Sequence, residues 1–381
     1  MIHRQRLVDE FIDLVSTASL SRREGQVAKR LVATLEGLGA TVEIDDAGDK
    51  VGGDTGNVLA RIPGTAPDAA PLLLSAHMDT VVPGENVRPV VHGDVIRTDG
   101  TTVLRGDDKS GIVAILESVR VLRDHRILHG PIKILFTVCE EVGLLGARHF
   151  DVGRLRAREG LVLDCDGVHE LITEAPAANS FAVTVHGLEA HAGVCPERGV
   201  SAIAVAAEAI AAMRLGRLDD ETTANLGLIE GGLATNIVPN RVTVRGETRS
   251  RSIEKLDAQT RHMRECFETA AARHRVRLGD GEHGARVEVC VRRTYERLAV
   301  PATARIVRLL ARAAGEAGRP LRMRASGGGS DANVLNGRGL EVANLGCGMR
   351  EIHTVHEWID VGDMIATAAL LVTMLRLNAS R

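Results

Sequence analysis

The sequence predicts a two-part α/β protein: an open, mostly parallel sheet with helices on both faces, and an inserted domain of a second kind. Apolar runs typical of buried strands alternate with helical patterns in the first and last parts of the chain, as in a sheet covered on both faces. Between residues 178 and 294 the order of elements becomes β-α-β-β-α-β, the split arrangement of a ferredoxin-like domain. A chain of 381 residues is also long for one domain.

Hydrophobic periodicity predicts the elements of the first part. Residues 1–26 have the pattern of an amphipathic helix. Residues 108–123 form the clearest helix, because apolar residues recur at helical spacing behind an aspartate that can cap the N-terminus. The remaining predicted elements are a helix near 22–36 that ends at Gly37 and strands at 71–76, 131–138 and 160–164.

The inserted domain is predicted from six consecutive segments. They are a strand "FAVTVHG", a helix "SAIAVAAEAIAAMRLG", strands "ANLGLIEGG" and "RVTVRGETRS", a helix at 253–275 and a strand "ARVEVCVRR". The first pattern then resumes with helix 301–317, a glycine-rich turn, strand 340–345 and helix 361–377. The predicted domains are therefore 1–177 with 295–381, and 178–294.

Composition excludes several classes of protein. The chain has 47 basic and 50 acidic residues, a net charge of −3, and no long run of one sign, so neither a nucleic-acid nor a membrane surface is expected. We expect no signal peptide and no membrane span, since charges interrupt the N-terminal segment and the apolar runs are short. The six cysteines are dispersed without a C-x-x-C pair, which favours a reduced, cytoplasmic protein.

Ionisable side chains follow the predicted strands where each strand ends. In "SAHMDTV", His77 and Asp79 point to the same side because strand side chains alternate. Carboxyl ends of parallel strands share one edge of the sheet, which is where ligands bind. The other candidates are Asp107 and Asp108 in "RGDDKSG", Glu140 and Glu141 in "TVCEEVG", Asp164 and Asp166 in "LDCDG", and His353 and His356 in "IHTVHEW".

Such a convergence of charges favours a metal centre. Carboxylates that meet in a partly buried cleft repel one another unless a cation neutralises them. Imidazole together with carboxylate suits zinc, cobalt or manganese better than calcium. Two histidines and at least four acids exceed the needs of one tetrahedral ion, so two ions that share a carboxylate are expected. Each motif alone has a plainer explanation, such as a helix cap for Asp107, but five together favour the metal site.

Several motifs resemble one known family. "SAHMDTV", "RGDDKSGIVAIL", "TVCEEVGLLGA", "GLEAHAG", "TNIVP" and "SGGGSDANVLN" followed by "IHTVHEWI" are similar to the co-catalytic di-zinc metallopeptidases and amidohydrolases, and within that group to peptidase T and peptidase T-like proteins. The resemblance runs from about residue 5 to 378. It implies a zinc-exopeptidase-like catalytic di-metal domain in 1–177 and 295–381, and a lid or dimerisation domain in 178–294.

The resemblance also implies roles for the residues at the strand ends. It assigns His77, Asp107 and Asp164 to one zinc, and Asp107, Glu141 and His353 to the other, with Asp107 as the bridge. Asp79 would orient His77, and Glu140 would be the general base. Asp166 competes with Asp164 as a ligand and His356 with His353; the family pattern favours Asp164 and His353.

Three residues of the inserted domain complete the implied site. His191, in "GLEAHAG", would donate to the oxyanion of the tetrahedral intermediate, in several family members from the partner subunit. Asn236 and Arg249 lie at positions where members of the family contact substrate. Arg249 could bind a carboxylate bidentately, and Arg251 is the alternative candidate for this role. An edge strand of the inserted domain favours a homodimer, as does the family.

The function implied is a zinc-dependent metallo-exopeptidase that hydrolyses short peptides. The alternative is a carboxypeptidase or N-acyl-amino-acid amidohydrolase or deacetylase with the same centre, acting on an N-acyl amino acid. "SGGGSDAN" lacks the G-K-[ST] ending of a P-loop, and no G-x-S-x-G serine elbow occurs. A catalytically inactive scaffold is disfavoured because every expected ligand and Glu140 are present.

Overall fold

The computed structural model describes residues 1–279 and 281–380, which form two compact units. The first unit comprises Met1–Glu174, Leu298–Ser326 and Ser330–Arg381, and the second comprises Ala175–Arg297 with Gly327–Gly329. The predicted second domain, 178–294, begins and ends three residues inside the range Ala175–Arg297, and the prediction places Gly327–Gly329 in the first domain.

The elements follow one another along the chain. Up to residue 175 they are α1 (Arg4–Ser16), α2 (Gly25–Gly37), β1 (Thr41–Ile44), α3 (Ala47–Val51), β2 (Val58–Ile62), β3 (Leu72–His77), β4 (Pro89–His92), β5 (Val95–Thr98), α4 (Gly106–Asp124), β6 (Ile132–Thr137), α5 (Leu145–His149), β7 (Glu159–Asp166) and β8 (Val168–Ala175). The second unit contains β9 (Ala177–His186), α6 (Ala202–Ala211), β10 (Gly216–Arg217), β11 (Thr222–Gly231), β12 (Arg241–Ser250), α7 (Ile253–Arg273), β13 (Arg275–Leu278), β14 (Gly281–Gly284) and β15 (Arg286–Tyr295). The chain then returns to the first unit with β16 (Leu298–Ala299), α8 (Arg305–Glu316), β17 (Arg322–Ala325), α9 (Asp331–Gly337), β18 (Glu341–Arg350), β19 (Trp358–Asp360) and α10 (Val361–Ala379).

A large mixed sheet with a parallel centre organises the first unit. Strands β6, β3, β7 and β18 lie side by side and run parallel. Antiparallel strands extend the sheet on both sides. Strands β2 and β1 lie beyond β6. Strands β19, β5 and β4 lie beyond β18. All six residues of β3 are buried, so both faces of the sheet centre are covered. The predicted α/β class and parallel centre are confirmed.

The prediction of one helix over residues 1–26 is wrong. Helix α1 ends at Ser16, and α2 begins only at Gly25. Between them Leu20 forms a parallel bridge with Thr80, and the Ser21 hydroxyl donates to Asp79 at 2.7 Å. Contacts with the end of β3 therefore override the local helical periodicity in this segment.

The second unit has the predicted ferredoxin-like order of elements. Its antiparallel sheet has the order β10-β11-β12-β9-β15, and α6 and α7 pack on it. The core between sheet and helices includes Phe181, Val244, Met263 and Phe267, all at most 1% exposed. The short strand β10 and the hairpin β13–β14 are additions that the sequence pattern did not predict.

Helix α10 has the length and apolar composition of a membrane span. Of its most apolar 18-residue window, 61% is buried inside the protein. The helix packs against α4, α8 and β18. Its apolar character is therefore accounted for by the core of the first unit.

Candidate metal centre

Four parallel strands bring the candidate side chains to one edge of the first unit's sheet. His77 is the last residue of β3, and Asp164 lies near the end of β7. Glu140 and Glu141 follow β6 after two residues. The loop after β18 supplies the fourth segment, with His353. Because these strands run parallel, their carboxyl ends meet at the same edge, as sequence analysis predicted.

Asp107 lies between the two histidines. Its Oδ1 is 2.9 Å from His77 Nε2, and its Oδ2 is 3.1 Å from His353 Nε2. Burial alone would raise the pKa of Asp107, but the two imidazoles lower it well below its ordinary value. The carboxylate therefore stays ionised, and each of its oxygens faces a different imidazole. This is the arrangement that a bridging ligand requires.

The remaining candidate ligands surround this bridge. Glu141 Oε2 lies 3.0 Å from His353 Nε2, and Asp164 Oδ1 lies 3.9 Å from His77 Nε2. Two groups of possible ligand atoms each fall within 4.8 Å: His77 with Asp107 and Glu141, and His77 with Asp108 and Asp164. The five residues proposed as ligands thus lie together in the structure.

The two pairs of competing candidates differ in their surroundings. Asp166 is exposed and forms an ion pair with Arg324, whereas Asp164 faces His77. His353 and His356 are both exposed, but His353 Nε2 lies beside Asp107 and Glu141, whereas the His356 backbone N–H donates to the Thr354 hydroxyl. These contacts favour Asp164 and His353 as the residues that face the centre.

Asp79 is completely buried and holds several parts of the site. Its Oδ1 lies 3.3 Å from His77 Nδ1. The backbone N–H groups of Glu140 and Glu141 donate to its two oxygens at 2.9 and 3.2 Å, and Ser21 adds a hydroxyl donor. One carboxylate therefore fixes the end of β3 relative to the segment after β6, a wider role than the orientation of His77 alone.

Asp108, rather than Asp107, caps helix α4. Its Oδ1 accepts the backbone N–H of Gly111, and its Oδ2 accepts the backbone N–H of His77, both at 3.2 Å. The peptide bond between the two aspartates is cis, and both have non-helical backbone angles. Sequence analysis did not assign this role to Asp108, because adjacent aspartates offer no pattern that separates a cap from a ligand.

Two further buried charged groups escaped sequence analysis. Lys109 donates through Nζ to the carbonyl oxygens of Met78 and Asp79, at 2.5 and 3.0 Å, and burial lowers its pKa to about 8. Asp331 accepts from the Thr137 hydroxyl, and burial raises its pKa to about 6. Both lie inside motifs quoted above, but only the folded chain shows what they contact.

Burial and mutual repulsion control protonation in the cluster. Burial, and then the charge of Asp164, raises the pKa of Glu140 well above its ordinary value. Burial, and then the charge of Asp107, does the same for Asp164. Hydrogen bonds with Asp107 and Glu141 raise the pKa of His353 to about 10. The cluster therefore retains protons wherever it lacks another source of positive charge.

The donor set fits a metal ion. Glu141 Oε1 is buried and has no hydrogen-bond partner within residues 1–279 and 281–380. A buried acceptor without a donor is costly unless a cation satisfies it. Imidazole nitrogens and carboxylate oxygens are the ligands that zinc, cobalt and manganese share. The first unit therefore contains His/Asp/Glu groups suited to metal binding.

The candidates in the second unit lie on two neighbouring loops and one strand. The loops of His191 and Asn236 form a bridge, with the Ala192 N–H donating to the Asn236 carbonyl at 2.9 Å, and both residues are exposed. Arg249, on β12, donates through Nε and Nη2 to the carboxylate of Glu247 at 2.9 and 3.0 Å. Its guanidinium is thus already engaged in a bidentate pair.

A parallel α/β sheet whose strand ends converge on a carboxylate held between two imidazoles is the arrangement of a metal-binding α/β protein. Comparison with known sequences agrees. The chain belongs to the peptidase family M20/M25/M40, whose sequence model matches residues 73–377. The resemblance drawn from the motifs is confirmed, and the protein is an enzyme of the hydrolase class.

Individual relatives cover the whole chain. The uncharacterized protein YqjE of Bacillus subtilis (strain 168) is 40% identical over 376 residues, 98% of this chain and 99% of its own. The crystal structure of the aminopeptidase PepT from Bacillus cereus ATCC 10987 has a TM-score of 0.89 at 41% identity. A tripeptidase from Staphylococcus aureus subsp. aureus Mu50 has a TM-score of 0.93 at 34% identity. For each of these two structures, the aligned region covers 100% of this chain and 100% of the other chain.

The surroundings of the two aspartates after β7 generate a first prediction. Asp164→Asn removes a carboxylate that faces His77 and should weaken zinc binding by at least about tenfold, a loss that even residues beside a ligand can cause. Asp166→Asn breaks only the ion pair with Arg324 and should bind zinc as the wild type does. Metal titration of both variants measures the difference. Equal losses in the two variants would contradict the assignment.

Proposed function

We propose that the protein is a zinc-dependent exopeptidase that removes the N-terminal residue from short peptides, as a peptidase T-like aminopeptidase. The observation that carries the proposal is the Asp107 carboxylate between His77 and His353, with Glu141 and Asp164 around it. Support comes from solved relatives at 41% and 34% identity, which are an aminopeptidase and a tripeptidase.

Two zinc ions per chain would be held by the five proposed ligands. His77, Asp107 and Asp164 would hold one ion, and Asp107, Glu141 and His353 the other. When bound, such ions supply a nucleophilic water near neutral pH and polarise the scissile carbonyl. Cobalt or manganese would suit the same ligands. Asp79 would orient His77 for this task.

Glu140 is the proposed general base. Its side chain is 8% exposed, and its backbone N–H is held by Asp79. Burial and the charge of Asp164 raise its pKa above its ordinary value, the direction expected for a general base. We propose that Glu140 accepts a proton from the attacking water and delivers it to the leaving amine.

The exposed loops of the second unit would supply contacts to the substrate. His191 would donate a hydrogen bond to the developing oxyanion, and Asn236 would contact the peptide. Arg249 is the proposed carboxylate-binding residue, with Arg251 as its competitor. Because Glu247 occupies the Arg249 guanidinium, a substrate carboxylate would have to displace that partner. This arrangement favours an aminopeptidase over the carboxypeptidase or N-acyl-amino-acid amidohydrolase alternative.

We also propose a homodimer formed through the second unit. Strand β10 pairs with β11 only at Thr223 and Ala224, so β11 from Asn225 onwards is a free edge among the described residues. Leu228 and Ile229 on this edge are 55% and 58% exposed, and Ile203 on α6 is 46% exposed. Apolar residues beside an unpaired strand are suited to pairing with a second copy. The six free cysteines are compatible with the proposed cytoplasmic location.

A panel of tripeptides tests the proposed substrate class. We expect the zinc-loaded protein to cleave tripeptides with free N-termini, and N-acetylation to reduce kcat/KM by at least about a hundredfold, the size of effect that a lost polar contact to the substrate can have. C-terminal amidation should reduce kcat/KM much less, because a substrate carboxylate must displace Glu247 before it binds Arg249. Chromatography of the products identifies the bond cleaved. Preferential hydrolysis of the acetylated peptides would instead support the amidohydrolase alternative.

Replacement of the proposed base should separate catalysis from metal binding. Glu140→Gln removes the proton acceptor but leaves the five ligands, so kcat should fall by about 10²–10⁴-fold while the zinc content stays that of the wild type. Activity assays and elemental analysis of the same preparation give both values. Loss of zinc along with activity would make Glu140 a ligand.

Mixed dimers test whether His191 acts across subunits. His191→Ala and Glu140→Gln chains should each be inactive. If His191 serves the partner's site, mixing the two should restore activity through hybrid dimers, towards about a quarter of the wild-type value at random equal assortment. Labelled chains should verify that subunits exchange. Exchange without recovery would show that His191 does not act in trans.

A further inference from the structure

Glu357 joins two segments that bear proposed ligands. Its side chain is buried, and the residue lies in the loop after β18, four positions beyond His353. Its Oε2 accepts the backbone N–H groups of Leu104 and Arg105 at 2.7 and 3.0 Å. Its Oε1 accepts the backbone N–H of Asp107 at 2.9 Å. A single carboxylate thus receives three donors from the segment that carries the bridging aspartate.

Leu104 and Arg105 precede α4, and the first turn of α4 is irregular. Arg105 has a left-handed φ of 65°, and the next helical turn is interrupted at Asp107 and Asp108. The Arg105 side chain provides no cap at the start of α4. The first N–H groups of a helix need partners from elsewhere, and Glu357, 250 residues away from Asp107, supplies three acceptor contacts.

Gly106 allows this close approach. A Cβ atom at position 106 would lie 3.0 Å from Glu357 Oε1, closer than most such contacts. A side chain there would push the carboxylate away from the backbone it holds. The first glycine of "RGDDKSG" is therefore explained by the space that the Glu357 carboxylate needs, which the sequence motif does not reveal.

We infer that Glu357 is a positioning residue that fixes Asp107 relative to His353. It thereby governs binding of the metal ion assigned to Asp107, Glu141 and His353. Asp107 Oδ2 and His353 Nε2 lie 3.1 Å apart, and Glu357 contacts the backbone of one segment while it belongs to the loop of the other. Carboxylates that hold ligands in place commonly set metal affinity. The inference rests on the proposed di-metal function.

The other metal position has separate supports. His77 receives its orientation from Asp79 and Asp108, and Lys109 fixes the carbonyl groups at the end of β3. None of these contacts involves Glu357. Asp107 would contact both ions, but Glu357 also belongs to the loop of His353. Loss of Glu357 should therefore affect the ion of Asp107, Glu141 and His353 more than the ion of His77, Asp107 and Asp164.

Zinc titration of the metal-free, full-length chain tests the inference. In Glu357→Gln, an NH2 group replaces one carboxylate oxygen and faces a backbone N–H. Both groups are donors, so the hydrogen bond on that side is lost. We expect calorimetry to show two ions bound by the wild type, and in the variant one ion of similar affinity and a second about 10- to 100-fold weaker. Glu117→Gln is the matched control. Glu117 is also a buried carboxylate, on α4, but it binds Arg6 and the His3 N–H, so this variant should bind both ions normally.

Gly106→Ala provides a second variant that keeps the carboxylate. Its added methyl group should displace Glu357 Oε1 and cause a smaller loss of affinity for the ion of Asp107, Glu141 and His353. This variant tests the inference even if Glu357→Gln fails to fold. Unchanged affinities for both ions in a folded Glu357→Gln, or in Gly106→Ala, would overturn the inference. Equal weakening of both ions would overturn it as well. A wild type limited to one ion would instead reject the di-metal centre itself, and the inference with it.

Discussion

The contact of one ionised carboxylate with two imidazoles is the constraint on which the first unit depends. Asp107 keeps its charge in a buried position only because His77 and His353 face its two oxygens. These three residues come from the end of β3, the start of α4 and the loop after β18. The parallel centre of the sheet brings the two strand ends together, and buried polar contacts bring the helix start to them.

The cost of this arrangement is a concentration of negative charge that the protein cannot relieve by solvation. The pKa values of Glu140 and Asp164 are raised, and hydrogen bonds with Asp107 and Glu141 raise the pKa of His353 to about 10. A folded chain without metal therefore holds protons where ions would bind. Lys109 adds a buried positive charge beside the same strand end. Metal binding and proton release are consequently coupled in this site.

The sequence was sufficient for the features that repeat along the chain and insufficient for those that depend on a single distant contact. His77, Asp164 and the glutamate pair could be found because each follows an apolar strand, and parallel strands end at one edge. Periodicity also predicted the ferredoxin-like order of the second unit. The break between α1 and α2 could not be predicted, because Ser21 binds Asp79 only after β3 is in place. Likewise strand alternation places Glu247 and Arg249 on one face, but the pattern does not show that they pair with each other.

The position of β18 has a consequence for how the enzyme is made. This strand lies beside β7 in the middle of the sheet, yet it follows the entire second unit in the chain. During synthesis β7 therefore lacks this neighbour, and the centre of the sheet stays incomplete, until the second unit has been synthesised and β18 has emerged from the ribosome. His353 arrives later than every other proposed ligand. A nascent chain thus lacks the complete set of proposed ligands until the segment after the second unit has been synthesised.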